Sequence, residues 1–478
     1  MKLNKVDLVN QSFTHLIRRY KLTAFTPIRR PLPKTLEIDG KTYNTHSDFT
    51  NVTPTITSHL SRQLHLNKDH PIGILRELIE KKLNSVDKSF TTFNNFKPVV
   101  TKFQNFDSLG FPENHPGRSK SDTYYINENY LLRTHTSAHE AECFQQIKEG
   151  LDAESKGYLI SADVYRRDEI DRTHYPVFHQ MEGARIWKRN NSELLQNDLN
   201  KLEKVLTESQ KNIVLKCVRD DPEIDPVENP KQTYMSDQEV ILCSKHMKRS
   251  IELIISEVFN RKVQSMKDEK LVPKELKYRW VKAYFPWTTP SWEIEVWWQN
   301  DWLEVCGCGL VQQQVLLNAG FETDSTIGWA FGLGLDRIAM LLFEIPDIRL
   351  LWTSDERFHK QFKSEHINKF KPYSKYPGSI RDVSFWLPKQ DNKNVGNVVQ
   401  NIEVHTNDIM EIVRDVAGTL VESVKLYDTF VHPKTNQKSM CYRINYQSMD
   451  RNITNAEVNE LQRKIEKELV SRYNVILR

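Results

Sequence analysis

The stretch "TIGWAFGLGLDRIAMLLFEIPDIRLLW" (Thr326–Trp352) sets three glycines ahead of an acid–base pair, Asp336-Arg337, and a long apolar helix. An arginine at the mouth of such a helix is costly to dehydrate unless an anion meets it. Glycines before a helix suggest a phosphate cradle, and a dinucleotide is the first candidate. The spacing argues against one. Gly328, Gly332 and Gly334 do not spell G-x-G-x-x-G, because Arg337 fills the third glycine position, and neither a Rossmann context nor a Walker lysine accompanies them. The guanidinium, rather than backbone amides, is then the candidate phosphate ligand. The competing reading is a core helix entered through a glycine turn, with Asp336 and Arg337 paired at its start.

Composition bounds the rest. A chain of 478 residues is long enough for two or three domains with large cores. With 27% charged residues and a net charge of +4, it reads as a soluble, mildly basic protein, which permits a nucleic-acid partner without requiring one. Six scattered cysteines point to a reducing compartment. Cys306-Gly-Cys308 is the only close pair and lacks two further ligands at zinc spacing. No apolar run reaches membrane-spanning length, so no membrane partner is expected. Residues 1–35 carry eight Lys or Arg, from Lys2 to Lys34, against the single acid Asp7, and resemble a mitochondrial transit peptide. An ordinary basic tail is the alternative.

From Leu36 onward the pattern is α+β, mostly antiparallel strands with flanking helices. "HPIGILRELIEKKL" (His70–Leu83) predicts a helix entered through Pro71, and residues 96–132 read as strand-rich. Residues 160–188 read as two strands around a polar turn, and the charged 190–235 stretch as a solvated insertion. Ser236 and Glu239 form a capping box for a long helix with Val240, Met247, Ile251, Ile254, Val258 and Phe259 on its apolar side. Two more strands lie in "WVKAYFPW" and "SWEIEVWWQNDWLEVCGCG". These elements make a first domain over 36–368, joined by a 369–378 linker to a unit over 379–478. That unit reads β-α-β-β-α-β, with a hairpin about His432–Gln437 and a Thr454/Glu457 capping box, which is the ferredoxin-like or split-βαβ plan.

Several polar constellations remain. "LLRTHTSAHE" (Leu131–Glu140) gathers His135, Thr136, Ser137 and His139 at a strand end; the plain reading is a hydroxyl-rich helix cap. "VYRRDEIDRTHYPVFHQMEG" (Val164–Gly183) puts Arg166 on one strand and Gln180 and Glu182 on the next, facing one side, with His174 in the turn. Phe285 and Trp287 share one side of a strand, and Glu304 precedes the glycines of "WLEVCGCG". Jointly these residues describe a reaction. Arg166 and Arg337 can grip different phosphates of a bent triphosphate, and Glu304 can hold Mg²⁺ between them. Glu182 with Gln180 suits an ammonium group, and Phe285 with Trp287 suits a planar apolar side chain. The chemistry implied is attack of an amino acid's carboxylate on the α-phosphate of ATP, driven by positioning and charge stabilisation.

"YRRDEIDRTHYPVFHQMEG" resembles motif 2 of the class II aminoacyl-tRNA synthetases, "GWAFGLGLDRIAM" their motif 3, and "FKPVV…NFDSLGFPENHPGR" the motif 1 region. "HPGR…DTYY", "RTHTS" and "FHQMEG" resemble the phenylalanine-specific branch, and "KYPGSIRDVSFWLP" resembles the opening of its ferredoxin-like anticodon-binding module in the single-chain mitochondrial form. The resemblance covers about residues 60–478. It implies a class II antiparallel-sheet catalytic core, with ATP, phenylalanine and tRNA(Phe) as substrates, Mg²⁺ as cofactor, a monomer, and the mitochondrial matrix. By position, it implies that Arg166 binds the α-phosphate and the attacking carboxylate, and Arg337 the γ-phosphate. Asp168, Thr173, His174 and Tyr175 would attend ATP and the tRNA end. His135, Ser137, Ala138, His139, Glu140, Gln180, Met181 and Glu182 would hold the amino acid, and Phe285, Trp287, Ala330 and Phe331 would line its side-chain pocket. Arg381 is the candidate anticodon contact. Asp168 stands where many relatives have Glu, and Trp287 where many have Phe, a change expected to narrow the pocket. A class II enzyme for another amino acid would need a different pocket, and a non-catalytic paralogue would lose Arg166, Glu304 or Arg337.

Overall fold

Stretches rich in β-branched and aromatic residues build an eight-stranded sheet at the centre of the first domain. Its strands are β1 (Phe90–Phe93), β2 (Lys156–Tyr165), β3 (Val177–Lys188), β4 (Val214–Asp220), β5 (Glu275–Lys282), β6 (Thr288–Trp298), β7 (Asp301–Val311) and β8 (Thr326–Gly334). Their spatial order is β1-β2-β3-β8-β7-β6-β5-β4. The six inner strands pair antiparallel, while β1 and β4 join the edges in parallel. The structure, a computed structural model, describes residues 32–478 apart from 150, 152–154, 190, 211–212, 267–274, 299, 374–375 and 389–403. The transit-like segment 1–35 therefore lies almost wholly outside the described residues.

Helices cover the sheet where their caps and apolar stripes direct them. Helix α1 (Pro71–Asp87) starts at His70, whose Nδ1 accepts the Ile72 amide at 3.3 Å, with Pro71 in the first turn, where its missing N–H costs nothing. A short α2 (Glu140–Ile147) follows Ser137. Ser236 and Glu239 close the expected capping box at the start of α4 (Asp237–Ser265), and all six of its expected apolar residues are buried. This helix packs on β7, β8 and α1. Helix α5 (Leu335–Phe343) follows β8 without a break. The glycine turn expected ahead of α5 is instead the end of a strand.

Three further expectations are corrected. The 190–235 stretch is not a solvated excursion. Asn191 Oδ1 accepts the Leu194 amide at 3.1 Å and opens helix α3 (Ser192–Ser209), which buries Leu195, Leu199, Leu202 and Leu206 against α4, while β4 extends the sheet. The leucine spacing is helical, but the surrounding charge concealed it. The 96–132 segment is poor in strand. Only Val99–Thr101 and Tyr130–Leu132 pair, because a Thr101/Gln104 capping box and Pro112, Pro116 and Gly117 break what lies between. Phe285 and Trp287 lie in the connection after β5, not on a strand, and "SWEIEVWWQNDWLEVCGCG" folds as the β6–β7 hairpin, turning at Asn300 with φ 68°.

The C-terminal unit consists of β9 (Ser379–Trp386), α6 (Thr406–Ala417), β10 (Val421–Val431), β11 (Lys438–Tyr446), α7 (Asn455–Tyr473) and β12 (Ile476–Leu477). Its order β10-β11-β9-β12 is the split-βαβ arrangement, with a core of its own that includes Phe385, Ile412, Tyr442 and Leu469. If α3 is a wall of the catalytic domain, Leu199→Ala destabilises that domain by about 2–5 kcal/mol in urea denaturation, as for a buried leucine. A change below about 0.5 kcal/mol would instead make it a surface helix.

Candidate active site

Strand β3 sends Gln180 and Glu182 to one face, and β8 opposes them with Gly334 and Gly332. A Cβ at either glycine meets no atom within 4 Å, so any side chain there would project into open space. The glycines of the motif open a crevice in the sheet surface. Gly307 and Gly183 serve differently: added Cβ atoms would come within 2.6 Å of the Phe285 ring and 2.7 Å of the Phe331 ring. They let those two aromatics lie flat on the sheet.

Two adjoining cavities fill the crevice. The larger, about 560 Å³, is bounded by His135, Ser137, Gln180, Glu182, Phe285, Trp287, Ala330 and Phe331. The smaller, about 300 Å³, is bounded by Thr173, His174, Tyr175, Phe178, Asp336 and Arg337. Arg166, Asp168, Gln180 and Glu304 line both.

At the closed end of the larger cavity, Glu182 collects hydroxyls. Ser137 Oγ donates at 2.5 Å, Thr136 Oγ1 at 3.2 Å and the Tyr158 hydroxyl at 2.9 Å. Gln180 Oε1 accepts the Thr136 amide at 3.3 Å, leaving its NH₂ toward the cavity. Burial pushes the Glu182 carboxyl up to about 7, against these donors, which favour the ionised form. The opposite wall is a stack. Phe111 lies 5.6 Å from His135 and 5.3 Å from Trp287, ring centre to centre, and His135 lies 5.5 Å from Trp287, all near parallel. The larger ring of Trp287 is thus held within the wall.

The smaller cavity is cationic. Arg166 donates Nε to the Thr134 carbonyl at 2.8 Å, and its guanidinium lies over the Phe178 ring at 5.3 Å. Arg337 Nη2 is 3.2 Å from His174 Nε2, whose Nδ1 meets Asp171 at 2.8 Å. The two arginines are close enough for the charge of Arg337 to add to burial in lowering the Arg166 pKa. Asp336 does not pair with Arg337. It is buried and accepts the His179 amide at 2.5 Å. Glu304 and Glu293, on β7 and β6, are near enough that burial and then the charge of Glu304 raise the Glu293 carboxyl. Two hard oxygen donors this close fit a divalent cation.

Five residues named from the sequence line neither cavity. Ala138 packs with Val100, Phe106 and Leu131, and Met181 faces the core on the other side of β3. His139 stacks on Phe96 at 4.4 Å. Glu140 is buried with neither carboxylate oxygen partnered among the described residues, and burial, then the charge of Glu182, pushes its carboxyl well up. Arg381 is far from the crevice. Its guanidinium bonds Asn459 at 3.1 Å, Asn455 at 3.2 Å and Ser379 at 3.0 Å, tying β9 to the start of α7. Phe111, His115 and Phe178 line the cavities and were not singled out from the sequence. Phe178 shares the β3 alternation of Gln180 and Glu182, which could have found it; Phe111 carries no local signal.

The chain matches the family described as tRNA synthetases class II core domain (F) over residues 55–268 and 263–362, and the ferredoxin-fold anticodon binding domain over 374–478. It is 63% identical over 456 residues to the mitochondrial phenylalanine–tRNA ligase of Saccharomyces cerevisiae, covering 93% of this chain and 95% of that one. It is 40% identical to the chloroplastic/mitochondrial phenylalanine–tRNA ligase of Arabidopsis thaliana, covering 90% of this chain and 82% of that one. For a probable mitochondrial phenylalanine–tRNA ligase of Drosophila melanogaster the identity is 39%, with 93% of both chains covered.

An α-ammonium group bound at Glu182 would need the carboxylate ionised, whereas burial raises that carboxyl to about 7 in the free site. Binding therefore releases a proton. With L-phenylalanine as probe, calorimetric affinity should level off near pH 8, before the substrate's own ammonium deprotonates, and fall toward tenfold per unit below pH 7, and Glu182→Gln should abolish that slope. A slope that survives the substitution would assign the proton elsewhere.

Proposed function

Because this chain belongs to the class II phenylalanine–tRNA ligases of mitochondria, it joins phenylalanine to tRNA(Phe) with ATP, and we propose that the two adjoining cavities are where it does so. The observation that carries this assignment is the shared boundary. Arg166 lies between a hydroxyl-ringed carboxylate under an aromatic wall and a pocket ending in Arg337 and His174.

Glu182, Ser137 and Gln180 hold the phenylalanine ammonium, and Phe285, Trp287 and Ala330 enclose its ring, with Phe331 backing the sheet from the core side. The substrate carboxylate then lies beside Arg166, facing the α-phosphorus of ATP. Phe178 supports the adenine face, His174 and Thr173 attend the phosphates, and Arg337 takes the γ-phosphate. The carboxylate oxygen bonds to the α-phosphorus as the bond to the bridging oxygen of pyrophosphate breaks. Arg166 neutralises charge on the attacked phosphate and Arg337 on the departing group. The terminal adenosine 2′-hydroxyl next attacks the adenylate carbonyl, forming the ester and releasing AMP. No protein nucleophile is required, and holding both reactants in line supplies much of the acceleration. Glu304 with Glu293 would hold Mg²⁺, which neutralises phosphate charge when bound. Support for the matrix comes from the mitochondrial names of the relatives and the basic residues 1–35. The C-terminal unit engages the anticodon, with bases stacking on exposed aromatics such as Tyr427.

Amino-acid-dependent ATP–pyrophosphate exchange tests the reading. Phenylalanine should support exchange, Arg337→Ala should cut it by about 10²-fold or more, and absence of exchange in the parent would reject adenylation at this site. An aromatic, apolar pocket discriminates against one added hydroxyl by only about 10². Tyrosine should therefore support measurable exchange, and a discrimination above about 10⁴ would show a polar filter that the pocket residues do not supply.

A further inference from the structure

The loop that follows Arg166 is not held by the catalytic domain alone. The Arg166 amide donates to the Pro176 carbonyl at 3.0 Å, the last bond of the β2–β3 hairpin. Beyond it, the carbonyls of Arg167, Asp168 and Ile170 are taken by the C-terminal unit. Asn407 Nδ2 donates to the Arg167 carbonyl at 3.1 Å, Arg414 to the Asp168 carbonyl at 2.7 Å, and the Val424 amide to the Ile170 carbonyl at 3.0 Å. The contacts are braced on both sides. Asn407 also donates to the Ser121 carbonyl at 3.0 Å and to the Asp122 carboxylate at 3.2 Å. Arg414 pairs with Glu411 at 2.6 Å, and that carboxylate accepts the buried Tyr124 hydroxyl at 2.8 Å. These are part-buried bonds to main-chain atoms one and two residues from Arg166, the one from Arg414 charge-assisted, a geometry that fixes direction as well as distance. By contrast, Gln180 and Glu182 are held by strand pairing and by Thr136, Ser137 and Tyr158, with no contribution from the C-terminal unit among the described residues.

We propose that the docked C-terminal unit positions the ATP side of the active site, with Asn407 and Arg414 holding the carbonyls of Arg167 and Asp168 and so aiming the Arg166 guanidinium and the Asp168 carboxylate at the nucleotide. Both are positioning residues, since neither lines a cavity. The inference rests on the adenylation reading above. It gives a unit whose relatives are described by anticodon binding a part in a step that involves no tRNA. A displacement of about 1 Å in such a group costs on the order of 10² in rate, so loss of one anchor is expected to cost less, about tenfold.

The test is phenylalanine-dependent ATP–pyrophosphate exchange without tRNA, on the full chain, comparing the parent with Asn407→Ala, Asn407→Asp and Arg414→Lys. Asn407→Asp preserves shape while turning a donor toward two carbonyls and a carboxylate into an acceptor. Expected are a fall of about tenfold in kcat/KM for ATP in both Asn407 variants, a smaller fall in Arg414→Lys, which keeps one charged donor, and a smaller change in the KM for phenylalanine, whose ammonium and ring are held away from Arg166 and whose carboxylate alone meets it. Parameters for both substrates declining together, in step with folded protein by near-ultraviolet circular dichroism, would make the contacts merely structural and overturn the proposal. Folded variants with ATP parameters within about twofold of the parent would overturn it as well. No exchange in the parent would instead defeat the adenylation reading, and the inference would fall with it.

Discussion

The carboxylate of Asp336 fixes the geometry on which the site depends. It sits buried in the first turn of α5, where the helix dipole favours an anion, and accepts the His179 amide at 2.5 Å with the ring nitrogen of the same histidine at 3.2 Å. A buried charge persists only where donors of this kind replace water. The bond locks the start of α5 to β3 at the residue next to Gln180. Arg337, one position on, then has a single way to leave the helix, outward toward His174. One interaction thus sets the distance between the amino-acid end and the phosphate end of the crevice. It also explains why the adjacent acid and base in the sequence do not pair: each has its own partner on the β2–β3 hairpin and its loop.

Much of this was legible where the signal was local. The capping boxes at Ser236 and Thr454, the proline entry at Pro71 and the C-terminal hairpin each report backbone geometry within a few residues, and each is found where its chemistry placed it. The same holds for Gln180 and Glu182, because the two-residue period of a strand needs no tertiary information. What stayed hidden was relational. The glycines of β8 read as a turn until their strand partners are known, and only then do Gly332 and Gly334 become vacancies opposite Glu182 and Gln180. Phe111 joins His135 and Trp287 across the fold, with nothing in its own neighbourhood to announce it. Helix α3 was misread for a different reason: its leucine stripe was present, but charge content outweighed periodicity. Asp198 on that helix, a charge that argued for solvent, is buried and bonded by Arg185 at 2.9 Å and Trp187 at 3.0 Å.

The crevice divides its electrostatics by position. At one end burial raises the carboxyl of Glu182 to about 7, although three hydroxyls point at it, so its charge is only partly present near neutrality. At the other end two guanidiniums share one pocket with modest neutralisation. Such an arrangement suits a zwitterion meeting a polyanion, since the amino acid brings the cation that completes Glu182 and the nucleotide brings the anion that separates the arginines. Each substrate relieves a cost already built into its half of the site, the sense in which the site is preorganised.

Strand order carries a consequence for how the chain reaches this state. Lys188 of β3 pairs with Thr326 of β8, with β4 to β7 lying between them in sequence. Loop closure over that distance is slow compared with forming the β6–β7 hairpin or the self-contained C-terminal core. During synthesis the β2–β3 hairpin therefore exists well before its neighbour, exposing the backbone edge of a strand whose sequence is largely apolar beyond Gly183. An unpaired edge of that kind templates association with other chains. The arrangement that opens a crevice between β3 and β8 also leaves that edge of the nascent protein unpaired until Gly334 has been made and seated.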